Sequence, residues 1–202
     1  PDPSTRVLIV ENRSPLWEQL QLPSLLSDYS IDVYHNPGFG LPLVKTCPCV
    51  CTVHDCIPKL FPDLVSPALR GLFSQWAEHW VRLADHLICV SEHTKHDFVH
   101  LYGADPARCT VVYQTVSDCF RPLEDEALID RTRAEYGIDK PYLLYVGRIE
   151  LRKNIPRLLA AFQRLQETEG RHWQLVLAGP KDPDVQDPRH ELPKVGRVDD
   201  VI

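Results

Sequence analysis

The chain has 202 residues, 44% of them hydrophobic and 25% charged, enough to bury a substantial core in one large or two small domains. Its 22 basic and 28 acidic residues give a formal net charge of −6, which argues against a nucleic-acid or anionic-membrane partner of the kind that needs a broad basic face. No apolar run approaches the roughly 20 residues of a membrane span, and seven cysteines, an odd set scattered through apolar segments, fit reduced core residues of a cytoplasmic protein better than a secreted disulfide scaffold.

No signal-peptide pattern opens the chain at Pro1, there is no methionine, and the chain stops just after a Gly196–Asp200 turn. A fragment with both its ends missing is the expectation. Val7 to Val10 is predicted as a buried strand, and Leu16 to Leu26 as a helix that Pro23 interrupts. Asp32 to His35 reads as a short strand closed by the turn residues Asn36, Pro37 and Gly38. Cys49 to Val53 is the next strand and delivers His54 and Asp55 at its end. Between Ser66 and His86 lies the clearest helix, with Ser66 as N-cap and Pro67 at the first helical position. Leu69, Leu72, Phe73, Trp76, Trp80, Leu83 and Leu87 recur there at three- and four-residue steps and predict one apolar face. A strand at Leu87–Val90, a helix capped by Ser91 and ended near Gly103, and a strand at Cys109–Tyr113 follow.

Such alternation predicts a parallel sheet with helices on both faces. Residues 118–140 are polar and read as a linker. Beyond them a strand at Tyr142–Val146, a helix at Asn154–Gln166 and a strand at Trp173–Ala178 begin a second domain of the same kind. The organisation expected is 1–117, linker 118–140, and 141–202, two Rossmann-like α/β domains, both incomplete.

Residues Gly147 to Asn154 join a strand to a helix, where open α/β sheets bind ligands. Free amides and the helix dipole favour an anion at that point. Arg148 and Lys153 add a planar fork and a mobile point charge, and Gly147 lets the backbone approach closely, so Gly147, Arg148, Lys153 and Asn154 make a candidate diphosphate site. The plain alternative is a solvated basic turn. Arg152 reads as a surface charge, and Glu150 as a surface partner of Arg148.

The stretch from Tyr142 to Phe162 resembles the opening of the donor domain in retaining GT-B-fold glycosyltransferases of the mannosyltransferase-like group, the family 4 type. Thr52 to Asp55 and Cys89 to Asp97 are similar to that family's acceptor-domain segments in the same order, and Trp173 to Pro180 resembles its second donor strand. The resemblance implies GT-B architecture and a cytoplasmic, metal-independent hexosyl transfer, with mannose one candidate, from a nucleotide sugar to a glycan, lipid-linked or other acceptor. It further implies retention of the anomeric configuration, with Arg148 and Lys153 stabilising the departing diphosphate and His54 facing the transferred sugar; a histidine that merely caps its own turn is the rival reading. A peripheral membrane contact outside this chain stays open. The sequence departs from the family in lacking the paired glutamates of the later donor domain and the glycine-rich first loop, and Tyr113 to Val116 stands where an Asn-Gly turn is usual. A phosphorylase or epimerase on the same fold, and a non-catalytic binding or scaffolding module, are the alternatives.

Other constellations read as structure. His93, His96 and His100 share a helix face that could hold zinc but more often is solvated. Cys47, Cys49, Cys51 and Cys56 lack knuckle spacing and read as core. Asp182 and Asp184 imitate a metal-binding pair inside a proline-rich loop.

Overall fold

The computed structural model describes residues 17–169, 172–181 and 200–202. The strand expected at Val7–Val10 and the Asp182 and Asp184 pair lie outside them. The chain divides into two compact units, Pro1–Val116 and Ser117–Ile202.

In the first unit the expected opening helix is two, α1 (Trp17–Leu20) and α2 (Leu22–Asp28), with Pro23 in the first turn of the second, where its missing N–H is harmless. Strands β1 (Tyr34–Asn36) and β2 (Cys49–Val53) follow, then α3 (Ile57–Leu60), α4 (Pro67–Leu83), β3 (His86–Cys89), α5 (Glu92–Tyr102) and β4 (Cys109–Val111). The four strands are parallel, in the order β1-β2-β3-β4. Ser66 Oγ accepts from the Leu69 amide and starts α4; Ser91 does the same for Thr94 and α5. Gly103, at φ +66°, ends α5 in the left-handed conformation.

Burial alternates along β2 and β3, with Cys49, Cys51, Val53, Leu87 and Cys89 inward. Trp80 and Val81 of α4 and Phe98 and Tyr102 of α5 pack on that face. Among the described residues, therefore, these helices cover one face rather than two. The other face is half-buried and carries polar cross-strand pairs, His35 with Thr52 at 2.9 Å and His86 with Thr110 at 2.8 Å. The helical stripe also differs from expectation at its start: Leu69 and Leu72 are exposed, and burial in α4 centres on Ala77, Trp80 and Val81.

The second unit contains α6 (Glu126–Glu135), β5 (Tyr142–Val146), α7 (Ile155–Glu169) and β6 (Gln174–Ala178). Helix α6 occupies part of the stretch read as a linker and is capped by Asp125, whose carboxylate accepts from the Leu128 amide. Strands β5 and β6 are parallel, and Leu175 bridges to Val201 on the far side of β6. Ile155, Leu159 and Phe162 of α7 bury themselves with Leu175, Ile149 and Val201. Gln174 is a buried polar junction, its Oε1 accepting from the Asp139 and Lys140 amides while its Nε2 donates to the Gly137 carbonyl.

Candidate active site

In the second unit the carboxyl ends of β5 and β6 run into two glycines. Gly147, at φ +155°, donates its N–H to the Ala178 carbonyl at 2.9 Å, and the Ile149 N–H bonds Pro180 O at 2.9 Å. Gly179, at φ +148°, lies so close that a Cβ built on it would sit 2.1 Å from Gly147 O. Only glycine fits there. Sequence reasoning passed over Gly179, although a glycine directly after a buried strand is the usual sign of a close backbone approach.

After Gly147 the chain forms a 3₁₀ turn at Leu151–Lys153 and enters α7 through Asn154, which holds φ +53°. Asparagine is among the few side chains that adopt this conformation readily. Its carbonyl accepts from the Arg157 and Leu158 amides, so the first turn of α7 starts on it. Arg148, Lys153 and Asn154 are exposed.

Glu150 does not partner Arg148. It pairs with Arg152 through the Nη2 to Oε1 contact, both groups partly buried. Two residues apart on a tight turn, Arg152 reaches that carboxylate, while the Arg148 backbone is held elsewhere, its carbonyl accepting from the Tyr145 hydroxyl at 3.0 Å. Arg152 is thus a structural ion pair rather than a free surface charge. The Arg148 guanidinium and the Lys153 ammonium have no hydrogen-bond or ion-pair partner among the described residues. Both cations stand on the turn leading into a 15-residue helix, the end of a helix whose dipole favours an anion.

In the first unit His54 follows the last residue of β2 and is exposed. Its Nε2 lies 2.8 Å from Pro37 O. A carbonyl can only accept, so Nε2 carries a proton and donates it to Pro37 O. The turn itself is capped by Asp55, whose Oδ1 accepts from the Ile57 amide at 2.9 Å, so His54 reaches across to the loop after β1 instead of capping its own turn. Thr94 Oγ1 donates to the His54 carbonyl, fixing its backbone from the start of α5. The structure therefore sets His54 in one unit and Gly147, Arg148, Lys153 and Asn154 together in the other.

The remaining constellations are structural. All seven cysteines are free thiols. Burial, first, pushes Cys51 up to about 11 and Cys56 to about 12, which keeps both protonated as core residues. His96 and His100 stack with ring centres 4.0 Å apart, and His93 and His96 both approach Asp97. Among the described residues no group of three or more His, Cys, Asp or Glu is placed to hold a metal ion, and no helix is long and apolar enough to cross a membrane.

Residues 4–118 match the family Glycosyltransferase Family 4, and residues 129–195 match Glycosyl transferases group 1. A D-inositol 3-phosphate glycosyltransferase of Mycobacteroides abscessus is 31% identical over 153 residues, which is 74% of this chain and 32% of that protein. An alpha-D-kanosaminyltransferase of Streptomyces kanamyceticus is 31% identical over 62% of this chain and 33% of its own length. The O-antigen chain mannosyltransferase B of Escherichia coli is 26% identical over 76% of this chain and 40% of its own. Two solved structures share the fold: a glycosyltransferase of Rickettsia africae, with a TM-score of 0.63 and 14% identity over 96% of this chain, and Anabaena HepE in complex with UDP and glucose, with 0.63 and 16% over 93%. Both neighbours share the α/β fold of this chain, the GT-B fold class expected from the sequence. The chain spans about a third of the length of the first two curated relatives and about half of these solved chains.

Proposed function

The chain belongs to glycosyltransferase family 4, and from that premise we propose that it is part of a retaining hexosyltransferase using a nucleoside diphosphate sugar. What carries the reading is the pair of exposed cations Arg148 and Lys153 at the entry to α7, which have no partner among the described residues. As the glycosidic bond breaks, negative charge collects on the leaving diphosphate. Arg148 offers two parallel donors to its oxygens and Lys153 a mobile ammonium, on the turn that Gly147 opens. These two cations supply in place what a divalent metal supplies in other transferases, and we expect no metal requirement. On this reading His54, its Nε2–H donated to Pro37 O, stands beside the transferred sugar. Free cysteines throughout favour a cytoplasmic setting. The acceptor is a glycan or a lipid-linked or small-molecule hydroxyl.

Incubation with UDP-, GDP- and ADP-hexoses and pooled acceptors, with release of the nucleoside diphosphate as readout, tests the reading. UDP in the Anabaena structure makes UDP-hexoses the first donors to try. Transfer without added metal, lowered about a hundredfold by His54→Asn at unchanged nucleotide affinity, is the expected result. A protein that binds no nucleotide and transfers nothing is a non-catalytic module.

A further inference from the structure

Tyr145 lies on β5 just before the turn that carries the two cations, and it is half-buried. Its ring packs against the apolar cluster that Ile155, Leu159 and Phe162 of α7 make with Leu175. Phenylalanine would fill that place equally well, so packing leaves the hydroxyl without a purpose. The hydroxyl donates to the Arg148 carbonyl at 3.0 Å. It reaches that carbonyl because residue 147 is glycine: a Cβ there would stand 3.0 Å from the Tyr145 hydroxyl oxygen and 3.3 Å from Cζ, too tight for the ring to keep its position. The same peptide unit is held at its other end, where the Ile149 N–H donates to Pro180 O at 2.9 Å. Ahead of it, the Gly147 N–H donates to Ala178 O at 2.9 Å. A peptide unit is rigid and planar, so bonds at both of its ends fix its plane, and with it the direction in which the Arg148 side chain leaves the turn.

Direction matters to one of the two cations more than to the other. A guanidinium meets phosphate through a planar fork, and its two parallel N–H···O bonds form only over a narrow range of approach. An ammonium is a mobile point charge that tolerates many approaches. Lys153 is also fastened separately, its own N–H donating to Glu150 O at 3.0 Å. A hydroxyl that fixes the Arg148 backbone therefore acts on the arginine's share of the site and leaves the lysine's alone. We propose that Tyr145 is a positioning residue: through the Arg148 carbonyl, its hydroxyl aims the guanidinium at the leaving diphosphate. This role rests on the reading of Arg148 and Lys153 as partners of a nucleoside diphosphate.

A double-mutant cycle tests it. Calorimetry with UDP, GDP and ADP compares the native protein with Tyr145→Phe, Arg148→Ala and Lys153→Ala, and with Tyr145→Phe combined with each of the other two. Phenylalanine keeps the ring and its packing and removes only the hydroxyl. Tyr145→Phe should weaken nucleoside diphosphate binding roughly threefold to tenfold, the worth of one hydrogen bond. It should weaken the Lys153→Ala protein by the same factor and the Arg148→Ala protein not at all. In transfer assays its kcat should fall by a larger factor than its affinity, because charge on the diphosphate grows as the glycosidic bond breaks. An equal loss with and without the Arg148 side chain would make the hydroxyl a general support of the fold and overturn the inference. Binding that is lost in Arg148→Ala but untouched by Tyr145→Phe removes this inference and leaves the donor-site reading standing. A native protein that binds no nucleoside diphosphate removes both.

Discussion

Asp85 shows how a single side chain can fasten several segments. Its carboxylate accepts from Lys45 Nζ, at 2.7 Å on Oδ1 and 2.6 Å on Oδ2, and from the Cys49 amide at 2.6 Å. Those contacts tie the start of β2 to the start of β3. Burial alone would raise its pKa; the Lys45 hydrogen bond and charge and the Cys49 N–H outweigh that and hold it below the ordinary 3.8. A folded-state value below the unfolded one contributes stability that is complete above the unfolded pKa and lost as pH falls through the folded one. Because the side chain is nearly half exposed, the contribution is about 1 kcal/mol at most. Urea titrations should find Asp85→Asn less stable than the native protein at pH 6, and the gap should close at pH 2. A gap of equal size at both values would mean that the carboxylate's charge does not contribute. At this scale the sequence was partly legible. Arg148 and Lys153 stand out by position between strand and helix, whereas the choice of Arg152 rather than Arg148 by Glu150 depends on how the 3₁₀ turn orients each side chain.

Strands β2 and β5 coincide with their apolar runs to the residue, because a short β-branched and aliphatic run bounded by turn residues leaves little choice. Helix α6 was not legible: its residues are mostly polar and none is buried, so no apolar stripe marks it. The Asp125 cap was its one signal. Backbone apposition is equally silent in a periodicity, and Gly179 is the clearest case. Gly179→Ala must carry a side chain where φ is +148° and a carbonyl oxygen stands 2.1 Å from the new Cβ. Backbone strain by itself costs about 1–3 kcal/mol, and the clash adds to it. Gly71→Ala is the control: it lies in α4, its Cβ meets nothing within 4 Å, and helix propensity should make it stabilising by about 0.5–1 kcal/mol. Denaturation curves of the two variants should move in opposite directions; a Gly179→Ala protein as stable as the native one would mean that β5 and β6 do not approach as described.

At the scale of the whole molecule, each unit sets its candidate site residues on the carboxyl side of its own parallel strands: His54 after β2, and the Gly147–Asn154 turn after β5. That placement was legible, since it follows from strand–loop–helix order and the position of the charges. The cavity that Glu18, Trp76 and Trp80 line was not. Trp76 and Trp80 read as core because their helical spacing is the same whether they face a neighbouring helix or a ligand, and Glu18 belongs to a short helix with no periodicity of its own. The central claim is that the α7 entry holds a nucleoside diphosphate. Calorimetric titration with UDP, GDP and ADP, run on the native protein, on Arg148→Ala and on Lys153→Ala, tests it most directly. Loss of one charge-assisted contact corresponds to roughly a tenfold to hundredfold weaker Kd for each variant, with one base preferred over the others and circular dichroism spectra unchanged. Tight binding that survives both substitutions would contradict the account.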